Sequence, residues 1–190
     1  MSTIARVSCV LFLSFCLTAC GFKLQGTNQT LPPQLQQVYV NTTNAPHSAL
    51  APDLTVALES DKVVCVDDPN QALITLNILQ EKQSSHQIGT GASQETRKYE
   101  LTDSVSFNLT NAAGELIYGP ATVSSSLVHY VYSGQVLGNN QEEGALYQSL
   151  HRNVIQKILF MLASEDAKVA LLKTSGQTKN GQAQDLPQQH

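Results

Sequence analysis

The chain is short of charge, short of basic residues and short of long apolar runs. Asp, Glu, Lys and Arg make up 14% of its 190 residues, well under the ~25% of an ordinary soluble domain. Gln, Asn, Ser and Thr fill the gap, so the surface is polar without being highly charged. Eleven Lys and Arg stand against fifteen Asp and Glu and are scattered, which excludes a nucleic-acid surface built on a positive field. No apolar run reaches the ~18 residues that a membrane-spanning helix needs; an integral helical membrane protein is excluded. No two of the histidines His47, His86, His129, His151 and His190 have zinc-ligand spacing. No P-loop, dinucleotide fingerprint or Gly-x-Ser-x-Gly elbow occurs. An enzyme is therefore not expected, and neither is a cofactor or a metal.

The first residues speak for a compartment rather than a fold. Arg6 is followed by the apolar run VSCVLFLSFCL and then by Leu17-Thr18-Ala19-Cys20. A signal peptide has this layout, a positive start, a short apolar stretch and small residues at the cut. Leu17–Cys20 also resembles the bacterial lipobox, in which the cysteine takes a diacylglycerol on sulfur and an acyl chain on its new amine. An ordinary signal peptide or a buried N-terminal helix is the alternative. Each buried CH₂ contributes ~0.8 kcal/mol and two chains already anchor stably, so three on Cys20 would hold the protein on a membrane. Gly21 stands where an Asp would retain an enterobacterial lipoprotein at the inner membrane, which by analogy sends this one to the outer membrane. Residues 1–19 are expected to be removed, which takes away Cys9 and Cys16. Cys20 is used by lipid and only Cys65 is left, so no internal disulfide is expected. Cys65 lies in the apolar run Val63–Val66 and reads as a small buried hydrophobe.

Residues 20–37 read as a lipidated tether, residues 38–173 as a single domain and residues 174–190 as a Gln-rich tail that cannot repay its ordering entropy. Val38–Val40 and Val63–Val66 are short apolar strands. Leu50, Leu54 and Leu58 recur every four residues and predict a helix over 49–60. Ile74, Leu76 and Ile78 alternate with polar residues, and so do Tyr99, Leu101, Val105, Phe107 and Leu109. That is the pattern of strands with one covered and one polar face. Asp103 is the single break on the apolar face. A third long strand runs from Leu116 to about Tyr132. Residues 84–96 and 133–140, both with Gly, read as loops at one end of this meander and as the natural place for a binding surface. Asn140 with Glu143 resembles a helix cap pair. Leu146, Leu150, Val154 and Ile158 then predict a long amphipathic helix over 140–163. Tyr118, Tyr130 and Tyr132 are either a binding stripe or strand cover.

Two further features carry a resemblance. Cys20-Gly21-Phe22-Lys23-Leu24-Gln25-Gly26 is similar to the Cys-Gly-aromatic-x-Leu-Arg-Gly start of the mature LptE family, the lipopolysaccharide-assembly lipoproteins, also called rare lipoprotein B. Tyr130-Val131-Tyr132, Val136-Leu137-Gly138, Gln141-Glu142-Glu143 and Leu146 resemble that family's aromatic third strand, its loop and the start of its second helix. The likeness spans nearly all of residues 20–163.

The resemblance implies an α+β fold, a four-stranded mixed or antiparallel sheet with two α-helices on one face. It implies an outer-membrane location and a one-to-one partner, the β-barrel LptD, which the lipoprotein plugs and helps to assemble while lipopolysaccharide passes to the outer leaflet. Tyr118, Tyr130 and Tyr132 are the expected barrel contacts. Lipopolysaccharide is the other implied ligand. Members of the family carry basic residues in the two end loops, whereas residues 133–140 here hold no Lys or Arg. A phosphate site needs cationic donors, which leaves Arg97 and Lys98 as the candidates; the alternative for both is a solvated strand-end charge. The competing reading of the whole is a stand-alone periplasmic lipoprotein that binds a soluble protein or a small lipid.

Overall fold

A computed structural model describes residues 31–46, 48–91, 96–132 and 136–181. The signal segment, Cys20 and most of the tether lie outside the described residues. Five strands form one mixed sheet: β1 (Gln37–Asn41), β2 (Val64–Cys65), β3 (Ile74–Thr90), β4 (Thr96–Asn111) and β5 (Leu116–Tyr132), in the order β2-β1-β3-β4-β5. β1 runs parallel to both of its neighbours, and β3, β4 and β5 form an antiparallel meander. Among the described residues three α-helices accompany it, α1 (Leu50–Ser60), α2 (Val136–Leu162) and α3 (Glu165–Gly181). The class is α+β as expected. The sheet has five strands rather than four because the two-residue β2 pairs at the edge of β1, and a third helix follows the second.

The alternating pattern does what it predicts. Ile74, Leu76, Ile78, Val105, Phe107, Leu109 and Val123 all bury on one face of the sheet. Leu50, Leu54 and Leu58 of α1, Leu150, Val154, Ile158 and Leu162 of α2, and Leu171 of α3 close the same core. α2 ends at Leu162, and Ser164 Oγ accepts from Ala167 N to start α3. Leu35, in a 3-10 turn over Pro33–Leu35, also enters this core, so the domain begins a few residues before the boundary read at 38.

Turn chemistry fixes the connections. At the end of α1, Lys62 N–H bonds Glu59 O and Val63 N–H bonds Leu58 O, with Lys62 at φ 68°. This is a Schellman close, with a lysine where glycine is favoured. In the β4–β5 hairpin Asn111 Oδ1 accepts from the backbone of Ala113 and Glu115, and Gly114 takes φ +80°. Farther on, Gly119 at φ +92° passes so close to β4 that a Cβ would stand 3.0 Å from Phe107 O.

Several boundaries differ from those the sequence suggests. Most of residues 84–96 is strand, not loop, since β3 runs to Thr90 and β4 starts at Thr96; residues 92–95 lie outside the described residues. Thr90 pairs with Arg97, and Thr96 with Tyr132, so the end of β3, the start of β4 and the end of β5 share one end of the sheet. α2 starts at Val136, so Asn140 is inside the helix and does not cap it. α3 continues through residues 174–181, which composition assigns to the tail; residues 182–190 lie outside the described residues. Val64 is 55% exposed, which makes β2 an edge strand rather than a buried one.

Candidate functional site

The two faces of the sheet are chemically unlike. The helices cover one. The other is lined by the polar half of the alternation: Asn41, Asn77, Asn108 and Thr110 toward one end, and Ser84, Thr102, Ser104, Ser106, Thr122 and Ser126 along the meander. Its side chains bond sideways across strands. Asn41 Nδ2 donates to Asn77 Oδ1 at 2.8 Å, and Asn77 Nδ2 donates to Asn108 Oδ1 at 2.9 Å and Thr110 Oγ1 at 3.1 Å. Ser106 and Thr122 hydroxyls lie 2.8 Å apart. Beyond Asn77, no strand among the described residues lies outside β3, so it borders this face as an edge, with a register shift on each side of residues 80–87.

The candidate residues divide between the two faces. Tyr130 and Tyr132 lie on the open face, 51% and 55% exposed, opposite Lys98 and Thr96. Tyr118 lies on the covered face, packed against the core with its ring centroid 6.5 Å from that of Phe107, so it is strand core and the three tyrosines do not form one stripe. Arg97 and Lys98 are adjacent in an extended strand and therefore point to opposite faces. Lys98 Nζ stands 5.8 Å from the Tyr130 ring centroid, within cation–π range. The strand places Lys98 with the tyrosines and does not bring Arg97 to it. Cys65 is half-buried against the core. Burial pushes its thiol up, and the charge of Glu59 adds to this, so it stays protonated at neutral pH and unreactive.

A second feature lies under the helices. Asp103, the break in the apolar face of β4, is fully buried, and neither of its carboxylate oxygens has a hydrogen-bond partner. His151 of α2 brings Nδ1 to 3.5 Å from Asp103 Oδ2 and 3.9 Å from Glu81 Oε1. Its Nε2 lies 3.5 Å from Asp53 Oδ2 of α1. Glu81 is on the covered face because the register shift between Ile78 and Gln80 inserts one residue in β3; without it Gln80 would point inward. Ser48 Oγ donates to Glu81 Oε2 at 2.5 Å and accepts from Leu50 N at 3.2 Å, tying the start of α1 to β3. Burial pushes the Asp103 carboxyl up, the negative charge of Glu81 pushes it the same way, and His151 and the cross-strand neighbour Gln83 oppose both. A cleft of about 770 Å³ between α1 and α2, lined among others by Asp53, Gln83, Tyr147 and Arg152, reaches His151. Burial, followed by Glu143 and Asp103, holds the Tyr147 hydroxyl above its usual range. Sequence reasoning finds one member of this cluster, Asp103, by its misfit. It misses Glu81, Asp53 and His151 because they come from separate elements and share no local spacing.

At the far end of the covered face, His129 is buried below the start of α2, with Nδ1 3.9 Å from Glu142 Oε1. Among the described residues no helix is long and apolar enough to cross a membrane.

The fold is shared with known proteins. The structure of an uncharacterised lipoprotein B from Nitrosomonas europaea superposes with a TM-score of 0.59 at 21% identity, covering 73% of this chain and 88% of that one. A minor lipoprotein from Acinetobacter baumannii gives 0.58 at 19% identity, covering 68% and 91%. Among curated proteins no sequence match is found. The model of the LptE family, described as lipopolysaccharide-assembly, matches residues 35–162. That span runs from the 3-10 turn through β1–β5 to the end of α2, and this chain belongs to the LptE lipopolysaccharide-assembly family.

Proposed function

We propose that the protein is an outer-membrane lipoprotein, anchored by acyl chains on Cys20, that sits one-to-one as a plug in an LptD-like β-barrel and supports passage of lipopolysaccharide to the outer leaflet. Its work is assembly and transport rather than catalysis. The observation that carries this reading is the open sheet face. Three long strands present mainly Ser, Thr and Asn, with Lys82, Lys98 and Glu100 among them, on a surface that the protein's own helices leave bare. A barrel lumen is polar, and such a face matches it through hydrogen bonds and shape. The lipid at the periplasmic rim would raise the local concentration of plug beside barrel. Tyr130 and Tyr132 are the barrel contacts in this arrangement, and Lys98, beside the tyrosines, is the cation expected to meet a lipopolysaccharide phosphate, with Lys82 farther along the same face.

The test is mild-detergent extraction of native outer membrane, capture through a tag after His190, and mass spectrometry. A large β-barrel recovered in equal amount supports the reading. The lipoprotein released alone, under conditions that keep other barrel complexes whole, overturns it in favour of a stand-alone periplasmic binding domain. Thr102→Arg places a long charge in the middle of the open face and should lower barrel recovery by about tenfold, the equivalent of 1.4 kcal/mol. Gln156→Arg, at an exposed position of α2, should leave recovery unchanged.

A further inference from the structure

We propose that Glu81, Asp103 and His151 bind one divalent transition-metal ion of the zinc class, which clasps α2 to the sheet. The three residues come from β3, β4 and α2, and each offers a ligand atom within 4.8 Å of the others. Two donors about 2.1 Å from one zinc ion stand about 3.4 Å apart at the tetrahedral angle. The separations of 3.5 and 3.9 Å from His151 Nδ1 to the two carboxylates are near that value, so a small inward movement of side chains completes the set.

The groups around these donors are arranged to hold a cation rather than each other. Both oxygens of a fully buried Asp103 have no hydrogen-bond partner, although buried polar groups are nearly always satisfied. Carboxylates only accept, so Glu81 and Asp103 cannot satisfy one another when ionised. Among the described residues no Lys or Arg pairs with either. Ser48 holds Glu81 by Oε2, which leaves Oε1 facing His151. Asp53 stands at the other imidazole nitrogen. His151 Nε2 is itself buried with no hydrogen-bond partner, and a 3.5 Å approach of Asp53 Oδ2 that closes on ion binding would keep the proton on Nε2 and free Nδ1 to ligate, the outer support that metal-bound histidines use. The cleft between α1 and α2 reaches His151 and gives an ion and a water a way in.

The donor set selects the ion. One imidazole and two carboxylates suit zinc or a similar first-row ion. Calcium asks for six to eight oxygens and magnesium for an octahedron of oxygens, and the cluster offers neither. The competing use of the same residues is a proton shared among them, which needs no metal.

The test uses the full chain in detergent, stripped with EDTA and dialysed, then titrated with ZnCl₂ by calorimetry and followed by thermal unfolding. We expect one ion per chain with a Kd below about 10 µM. At a hundredfold excess over Kd the midpoint should rise by roughly 5–10 °C, and CaCl₂ should have no such effect. Asp103→Asn and Glu81→Gln should each weaken zinc binding by tenfold or more. Far-UV circular dichroism of the metal-free variants separates loss of a ligand from loss of the fold. His86→Asn on the open face and Cys65→Ser should bind as the parent does. Absence of saturable binding at roughly 100 µM zinc overturns the proposal in favour of the shared proton. Binding that survives unchanged in both carboxylate variants also overturns it and moves the ion elsewhere, such as to His47 or His190.

Discussion

Replacing Asp103 by Asn should make the metal-free protein more stable at neutral pH. The carboxylate is fully buried in β4 with neither oxygen in a formed hydrogen bond. A buried group left unsatisfied costs about 1–3 kcal/mol, which His151 at 3.5 Å offsets only in part, since the net push on the carboxyl's pKa is upward. Asparagine keeps the shape and removes the charge that repels Glu81. The effect depends on pH in a fixed direction. Burial and then Glu81 raise the folded pKa of Asp103 above its ordinary 3.8, so the folded chain binds this proton more tightly than the unfolded chain does. The penalty is therefore complete above the raised folded value and disappears as pH falls toward 3.8. The variant's advantage should be largest at pH 7 and should shrink as the solution is acidified. Urea unfolding in the presence of EDTA, followed by circular dichroism because the chain has no tryptophan, measures this. With a slope of about 2 kcal/mol per molar, a gain of about 2 kcal/mol moves the midpoint up by about 1 M. A variant less stable than the parent at pH 7, or an advantage that does not shrink in acid, refutes the reasoning and shows that the carboxylate is compensated within the protein.

Other expectations follow from the turns, the core and the open face. Lys62→Gly should stabilise by about 1 kcal/mol, because a non-glycine residue at left-handed φ costs about 1–2 kcal/mol and glycine gives back part through chain entropy; the urea midpoint reports it. Gly119→Ala should destabilise by about 2 kcal/mol, since it combines positive φ with a Cβ against the backbone of Phe107. Gly144→Ala should stabilise by up to about 1 kcal/mol, because the helical site has open space for the methyl. Leu54→Ala removes a fully buried side chain of α1 and should cost about 3 kcal/mol, whereas Val56→Ala, 62% exposed, should stay within about 0.5 kcal/mol. A barrel complex held by neutral hydrogen bonds should survive extraction in about 1 M salt, where the screening length falls to roughly 3 Å; dissociation there would mean that ion pairs carry the contact.

What was legible in the sequence follows from where burial is one-sided. Leu50, Leu54 and Leu58 announce α1 because one stripe of it meets the core. Val105, Phe107 and Leu109 announce β4 because one face of it does. The far half of β3 was not legible, because among the described residues Ser84–Thr90 has no strand on its outer side and little above it, so there is no apolar face to alternate with; its pairing comes from β4. The start of α2 was hidden by Gly138, Asn139 and Asn140, whose poor helix propensity reads as loop although the helix runs through them. Of the buried cluster, Asp103 was visible as a misfit in an apolar row. Its companions were not, because the pairing with His151 depends on how α2 crosses the sheet, and the inward turn of Glu81 depends on a bulge that no residue pattern marks.

The two sites this fold offers stand on opposite faces of the same three strands. Alternation makes that unavoidable, since Thr102 and Ser104 on the open face flank Asp103 on the covered one. An ion bound below cannot touch a partner above. It can only stiffen the sheet from beneath, by joining β3 and β4 to α2 where the apolar core gives way to Glu81 and Asp103. The part of the meander beyond that point is the part least supported by hydrophobic packing, as the exposure of residues 85–88 shows, and it carries Lys98, Tyr130 and Tyr132. A clasp at the limit of the core is therefore well placed to order the distal ribbon. For the same reason, Asp103→Asn and Thr102→Arg should act separately: the first should change metal binding and stability, the second partner recovery. Adjacent residues with independent effects are what a sheet with one covered and one offered face requires.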